Sequence, residues 1–311
     1  MNTKSLRAKS LDSPETGDSG FTERLQSWLP KLVLSPTILI TLVFVYGFII
    51  WSAVLSFTKS RLLPNYDFVG LANYEKLFAM DRWQVAWSNL IIFAVLFIGV
   101  AIVLGTLLAV FLDQKIRMEG AIRTIYLYPM ALSLIVTGTA WKWILNPDIG
   151  IEKLMHDLGW TSFQFDWLIN PDMSIYTVVI AAVWQASGFV MAMMLAGLRG
   201  VDGSIIQAAQ LDGASMLKIY WRIILPIMRP IYFSAFIILS HLAIKSFDLV
   251  LALTAGGPGY SSELPATFMY QFTFSRSQIG VGTASAIITL MGFLAILVPY
   301  LYSEHRGTRH A

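Results

Sequence analysis

The sequence predicts an all-α integral membrane protein with six transmembrane helices. Hydrophobic residues make up 56% of the 311 residues and charged residues only 13%, whereas a soluble domain usually carries about 25% charged residues. The apolar residues are gathered into six long runs without strict alternation, and each run is close to the roughly 20 residues that a helix needs to cross the hydrocarbon core of a bilayer. We therefore expect one membrane domain built from helices.

The predicted spans follow one another along the chain, separated by polar loops of unequal length. They are Val33–Phe57, Asn89–Leu112, Ile125–Leu145, Ile175–Leu198, Ile231–Leu253 and Gly282–Tyr302. The first run starts too far from the N-terminus and lasts too long for a cleavable signal peptide. The predicted organisation is thus an N-terminal tail (residues 1–30), a membrane domain (residues 31–303) and a short C-terminal tail (residues 304–311).

Basic residues predict that both termini face the cytoplasm. With the N-terminus inside, the inner segments hold fourteen Lys and Arg residues and the outer loops hold six. Lys and Arg are enriched in the loops that stay on the cytoplasmic side. This bias accounts for the net charge of +3 without invoking nucleic acid.

The inner loop formed by residues 199–230 has the strongest local pattern in the chain. Ser204 and Gln207 fit a capping box that starts a helix, and Gly213 can take the left-handed conformation that ends it. A second amphipathic helix follows, and Pro226 ends or kinks it. On composition alone, this hairpin is equally compatible with an interfacial helix that only joins two spans.

The same loop resembles the EAA loop of ABC importer permeases, whose pattern is approximately E-A-A-x-x-D-G-A followed by a basic and aromatic stretch and Leu-Pro. The matching residues here are Gln207, Ala208, Ala209, Asp212, Gly213, Ala214, Leu225 and Pro226. The resemblance implies that this coupling loop sits in a cleft of a cytoplasmic ATPase subunit and moves with it. Gln207 replaces the acidic residue of the family pattern, so an ion pair at that position is not implied.

The likeness extends over roughly residues 35–305 and is closest to the maltose-type sugar permeases. It is carried by RTIYLYP (residues 123–129), WKW (residues 141–143) and LTAGGP (residues 253–258). It implies the type I ABC importer permease fold in a bacterial cytoplasmic (inner) membrane. The implied function is to translocate a mono- or disaccharide that an external or periplasmic solute-binding protein delivers.

The resemblance also implies partners, namely a second permease subunit and two ATP-binding subunits. ATP and Mg are expected to bind those partner subunits, and no cofactor or metal is expected on this chain. The sequence agrees, because it contains no Gly-Lys dipeptide and hence no P-loop. An enzyme is not predicted.

Ionisable residues in the fifth apolar run are candidates for the substrate pathway. His241, Lys245 and Asp248 are spaced i, i+4 and i+7, which would place them on one face of a continuous helix. Such groups are expected to face the bundle interior or water. They could line the pathway, or Lys245 and Asp248 could pair to fix helix packing. If they relay protons or ions, the alternative function is a gradient-driven secondary transporter or channel.

The fourth span offers an aromatic and amide group that could contact a sugar. The candidates are Trp184, Gln185 and Gly188, because an aromatic face beside an amide is suitable for stacking on a sugar ring and hydrogen-bonding it. The competing interpretation is that Trp184 is a packing residue. A membrane scaffold without a transport role is a further alternative, which predicts no substrate-linked phenotype on deletion.

Overall fold

The computed structural model describes residues 28, 31, 33–114 and 117–307, and these residues are almost entirely helical. The chain divides into two compact units, residues 1–52 and residues 53–311. Most of the predicted N-terminal tail (residues 1–30) and the last four residues of the C-terminal tail (residues 308–311) lie outside the described residues. Within the described part, the single β-bridge joins Thr58 and Phe68, so the all-α prediction is confirmed.

Thirteen helices are numbered here in chain order. They are α1 (Val33–Ser56), α2 (Ala72–Phe78), α3 (Asp81–Asp113), α4 (Glu119–Leu127), α5 (Leu134–Ile144), α6 (Ile151–Asp157), α7 (Ser174–Arg199), α8 (Gly203–Leu211), α9 (Met216–Ile227), α10 (Arg229–Ile244), α11 (Asp248–Leu253), α12 (Pro265–Tyr270) and α13 (Ile279–Gly307). A 3-10 turn (Tyr128–Ala131) follows α4, and a π-helical turn (Gln271–Ser275) follows α12.

In the described residues, four helices are long and apolar enough to cross a membrane by themselves. These are α1, α3, α7 and the Ile279–Pro299 part of α13. Two further spans arise if each of two bent helix pairs is counted as one. The segment from α4 to α5 bends by 101°, and the segment from α9 to α10 bends by 64°.

Two predicted spans are therefore not the continuous helices that the hydropathy pattern suggested. The third, Ile125–Leu145, is interrupted at Leu132 and Ser133, where Ser133 starts α5 by accepting a hydrogen bond from the Ile135 amide at 3.3 Å. The fifth, Ile231–Leu253, is interrupted between α10 and α11, at residues 245–247. Hydropathy reports how apolar a segment is and contains no information about a change of direction.

The core of the second unit is built around α3 and α7. Gly105 in α3 leaves no room for a side chain, because a Cβ there would lie 2.5 Å from the side chain of Val190 in α7. Val190, Met191 and Met194 are fully buried at this contact. Close backbone approach at small residues is the usual way in which membrane helices associate. The two helices thus form the frame that carries the loops at both of their ends.

Candidate functional site

The hairpin formed by α8 and α9, between the fourth and fifth spans, is the candidate functional site. Its first helix begins at Gly203 and is capped by Asp202, whose carboxylate accepts a hydrogen bond from the Ser204 amide at 2.9 Å. The bonds from Ser204 hold the pKa of Asp202 below its ordinary value. The predicted capping box of Ser204 and Gln207 is wrong, because Ser204 already lies inside the first turn. Asp202 is the better N-cap acceptor.

Gly213 makes the turn of the hairpin, as predicted. Its φ is +77°, in the left-handed region that glycine adopts without a steric penalty. Its amide donates to the Gln210 carbonyl, and the Ala214 amide donates to the Ala209 carbonyl, each at 3.0 Å. A Cβ at Gly213 would meet no atom within 4 Å. The requirement for glycine is therefore conformational and leaves the turn accessible to a partner.

The second helix of the hairpin, α9, ends later than Pro226. A π-helical turn (Tyr220–Ile224) precedes the proline and keeps the chain helical as far as Ile227. The 64° bend falls at Met228, just before Pro230 in the first turn of α10. The prediction that Pro226 ends or kinks α9 placed the break two residues too early.

The hairpin has one buried side and one exposed side. Ala209, Ile219, Ile224 and Met228 are buried and join the main core of the second unit. The exposed side contains the remaining pattern residues at the turn and several large apolar side chains. These exposed residues are Gln207, Ala208, Asp212 and Gly213, together with Leu211, Leu217 and Trp221. Leu211 is 90% exposed, and exposed large apolar side chains that lie together are candidates for a binding surface.

Two of the three fourth-span candidates hold the break in the third span. The side-chain amide of Gln185 donates to the Leu132 carbonyl at 2.9 Å. A Cβ at Gly188 would lie 1.8 Å from the Tyr126 carbonyl oxygen, so only glycine allows this approach. Gln185 also keeps its side-chain oxygen buried without a partner among the described residues. Both residues thus have a structural task at the point where the third span changes direction.

The third fourth-span candidate, Trp184, lies on a more open side of α7. Its side chain is 39% exposed and meets Trp141 of α5 edge to face, with ring centroids 5.8 Å apart. The pair presents aromatic surface next to the broken third span. Such a surface can stack against an apolar sugar face or pack against another helix.

The fifth-span candidates do not share one helix face. His241 lies in α10, Lys245 follows the end of α10 and Asp248 begins α11, so the predicted continuous face is wrong. All three residues are exposed. Among the described residues Lys245 and Asp248 form no ion pair, which removes the predicted structural pairing. His241 contacts the ring of Phe293 in α13.

The ion pair of Arg82 and Glu263 at the start of α3, referred to below as the clamp, was not predicted. Arg82 binds Glu263 with two hydrogen bonds, from Nε at 2.5 Å and from a terminal nitrogen at 2.7 Å, and the Glu263 side chain is 2% exposed. Asn89 donates to the Ser261 and Glu263 carbonyls at 2.8 and 3.0 Å. Ser174 at the start of α7 bonds Ser261 at 2.8 Å. The available signal in the sequence was an Arg and a Glu that each lie beside an apolar run. Their pairing could not be predicted because they are 181 residues apart along the chain.

Comparison with known proteins identifies the family to which this chain belongs. The family model described as binding-protein-dependent transport system inner membrane component matches residues 101–306. The chain is 37% identical to a probable ABC transporter permease protein of Pyrococcus horikoshii over 89% of this chain and 95% of that protein. It is 34% identical to the xylose/arabinose import permease protein of Haloferax volcanii, over 84% of this chain and 83% of that one.

A solved structure has the same fold. The structure of a bacterial ABC transporter involved in the import of the acidic polysaccharide alginate contains a chain that superposes with a TM-score of 0.79 at 20% identity, covering 92% of this chain and 98% of that chain. The predicted ABC importer permease fold is confirmed by this likeness. With a matched family model over most of the chain and relatives above 30% identity, the chain belongs to the inner membrane components of binding-protein-dependent transport systems.

Proposed function

We propose that this chain is one transmembrane half of an ATP-driven importer for a carbohydrate, and that the α8–α9 hairpin couples it to an ATPase. The observation that carries the proposal is the exposed side of the hairpin. It combines a small residue at Ala208, an open glycine turn at Gly213 and the exposed apolar side chain of Leu211. This surface suits insertion into a cleft of another protein.

The buried contacts of the hairpin allow it to transmit a displacement to the membrane helices. The side chains of Ile219, Ile224 and Met228 are at most 3% exposed and fix α9 to the core. Met228 lies at the bend from which α10 leaves, and α10 packs on both α3 and α7. A displacement of α8 by a partner therefore moves α10 and the core together. Because packed cores switch between discrete arrangements, such a displacement can exchange inward-open and outward-open states.

ATP hydrolysis belongs in this proposal to two separate subunits. The sequence contains no P-loop, which supports the proposal that ATP and Mg bind to the partner subunits. A second permease subunit completes the channel, and a solute-binding protein delivers the substrate to the outer side. The Lys and Arg distribution supports the proposal that both termini and the hairpin lie on the cytoplasmic side.

The substrate is proposed to be a sugar. The Haloferax volcanii relative is a xylose/arabinose import permease, and this supports a carbohydrate for the present chain. The Trp141–Trp184 pair supplies exposed aromatic surface, while His241, Lys245 and Asp248 remain polar candidates for the pathway. Aromatic rings with a few polar groups are typical of small-ligand sites. Gln185 and Gly188 are proposed to act indirectly, by holding the broken span in place.

The proposal is tested with Ala208→Glu in the complete importer, reconstituted into liposomes with its ATPase subunits and binding protein. We expect copurification of the ATPase and ATP-dependent uptake of labelled xylose, arabinose and maltose to fall at least tenfold, because a charged side chain cannot enter a closely fitting cleft. Ala72→Glu is the matched control, since Ala72 is also an exposed helical alanine, in α2. Its uptake should equal that of the unmodified chain.

Two outcomes would contradict this function. Normal ATPase binding and uptake in the Ala208→Glu variant would remove the hairpin from the coupling. Full sugar uptake without ATP, dependent on an ion gradient, would support a secondary transporter instead. Uptake is compared at equal amounts of inserted chain, so that a folding defect is not mistaken for uncoupling.

A further inference from the structure

Four cationic side chains line a single cavity of about 440 Å³ between the loop that follows α1, helix α2 and the start of α13. They are Lys59, Arg61, Lys76 and Arg276, and no acidic residue is among the residues that line the cavity. With the orientation proposed above, the outer loops hold only six Lys and Arg residues. Basic residues are disfavoured on the translocated side, so their concentration at one point requires a cause.

The two remaining outer cations are already paired, and the four in the cavity are not. Arg82 binds Glu263, and Lys153 binds Asp157 at 3.1 Å. In the described part of the chain, none of the four cavity cations has an acidic group within 4.0 Å. The nearest polar bond is from the Lys76 ammonium to the side-chain oxygen of Gln278 at 2.8 Å. The cavity thus has an uncompensated positive potential that suits an anion.

The walls of the cavity are fixed before any ligand binds. The Gly280 amide donates to the Ser60 carbonyl at 3.0 Å, and the Asn73 side chain donates to the Thr58 carbonyl at 2.8 Å. Gly280 has no room for a side chain, since a Cβ would lie 2.6 Å from the Asn73 nitrogen. These bonds join the loop that follows α1 to the start of α13. The cations are therefore held on a rigid frame.

Exposed apolar side chains border the cavity on the same loop. Leu62 lines the cavity, is 74% exposed and is followed by Leu63, with Tyr66 and Phe68 close behind. The loop lies directly after α1 ends at Ser56, near the boundary of a span. Leucine and aromatic residues beside basic residues are typical of segments that lie in the headgroup region of a bilayer. Asp67, the carboxylate in this loop, lines a neighbouring cavity together with Lys59 and Arg61, and it accepts a hydrogen bond from the Asn65 side chain at 2.9 Å without forming an ion pair with either cation.

We propose that this basic cavity binds the phosphate of an anionic phospholipid in the outer leaflet, while Leu62, Leu63 and Phe68 insert beside its acyl chains. The cations alone would also suit a free phosphate ion. A free ion, however, gives no role to the exposed apolar side chains, which would remain in water. A membrane lipid satisfies both the charge and the apolar border at a span boundary.

The test uses the purified full-length chain in detergent and native mass spectrometry with phosphatidylglycerol, phosphatidylcholine or inorganic phosphate. We expect phosphatidylglycerol to bind at least tenfold more tightly than phosphatidylcholine. The Lys59→Gln/Arg61→Gln variant should lose about thirtyfold in phosphatidylglycerol affinity, since each basic residue near an anionic surface contributes about fivefold. Lys153→Gln removes an outer cation elsewhere and should bind like the unmodified chain. Circular dichroism confirms equal folding.

Four results would overturn the proposal. Equal binding of the two lipids would show that the cavity does not select a headgroup with a net negative charge. Equal phosphatidylglycerol binding by the double variant would show that the lipid does not bind at these cations. Displacement of phosphatidylglycerol by equimolar inorganic phosphate would assign the cavity to a free anion. Unchanged lipid binding by the double variant together with lost capture of the solute-binding protein would assign it to an acidic protein surface.

Discussion

The side chain that a position tolerates can depend on backbone that approaches it from another span. Gly188 is an example, because a Cβ at this position would collide with the carbonyl oxygen of Tyr126. That carbonyl belongs to the last turn before the third span changes direction. A single methyl group at position 188 therefore meets backbone, which cannot rotate away as a side chain can.

Gly188→Ala is expected to destabilise the chain by about 1–3 kcal/mol, the usual cost of inserting a group into a packed interior. The measurement is the thermal unfolding midpoint of the purified chain in detergent. Gly99→Ala is the control, since Gly99 also lies within a long span and a Cβ there meets nothing within 4 Å. The control should be neutral or more stable by up to about 1 kcal/mol, because alanine favours helix over glycine. Equal midpoints for both variants would contradict the assigned contact.

The sequence selected three residues of the fourth span as candidates, but it does not show the contacts that two of them make with the third span. Trp184, Gln185 and Gly188 were selected because an aromatic ring and an amide suit a sugar. The Leu132 and Tyr126 carbonyls that Gln185 and Gly188 meet lie more than 50 residues away along the chain. The same limit explains why the Arg82–Glu263 clamp was missed: either residue alone resembles an ordinary surface charge.

At the scale of elements, helix termini and turns were predicted where local chemistry determines them. The glycine turn of the hairpin follows from a conformation that other residues disfavour, and the structure has Gly213 at φ +77°. The start of α8 was misassigned because Asp202 and Ser204 can both act as an N-cap. The structure shows that Asp202 is the N-cap. The breaks in the third and fifth predicted spans were missed because hydropathy does not report where a helix is interrupted.

Asp202→Ala is expected to loosen the first turn of α8, while Asp202→Asn retains most of the cap, because asparagine also accepts the Ser204 amide. Hydrogen exchange of residues 203–207 should be faster in the alanine variant only. Since the folded pKa of Asp202 lies below its ordinary value, the charged cap stabilises α8 fully above the unfolded pKa and is lost as the pH falls through the lowered folded pKa. Exchange rates corrected for pH should therefore not change between pH 6 and 8. Faster exchange in both variants would argue against the cap.

At the scale of the whole second unit, α7 connects the two functional ends. Ser174 at its start bonds the Arg82–Glu263 clamp loop through Ser261, and its last residue, Arg199, is followed within four residues by the hairpin helix α8. Its 26 residues correspond to a length of about 39 Å, which is enough to cross the hydrocarbon core. A rigid helix of this length connects the Ser261 loop mechanically with the hairpin.

This arrangement requires the hairpin and α6 to lie on opposite sides of the membrane, and the chain allows a direct measurement because it contains no cysteine. Leu211→Cys and Leu158→Cys place single thiols at positions that are 90% and 72% exposed. In intact cells, a membrane-impermeant maleimide should label only the Leu158→Cys variant. In inverted membrane vesicles it should label only Leu211→Cys, because the hairpin then faces the reagent. Met194→Cys, at a fully buried position, should stay unlabelled in both.

The same thiols also test docking. ATPase subunits added to the inverted vesicles should slow the labelling of Leu211→Cys at least fivefold, because the proposed cleft covers the turn of the hairpin. A thiol at Ala121, an exposed position in α4 on the same side, controls for general crowding of the surface and should be slowed less. Labelling of Leu211→Cys from outside the cell would invert the proposed orientation, and equal slowing at both positions would contradict a specific seat for the hairpin. A permease that is coupled to a cytoplasmic ATPase through the hairpin requires both results: the thiol at position 211 is labelled only from the cytoplasmic side, and the ATPase subunits protect it from labelling more than they protect the control thiol.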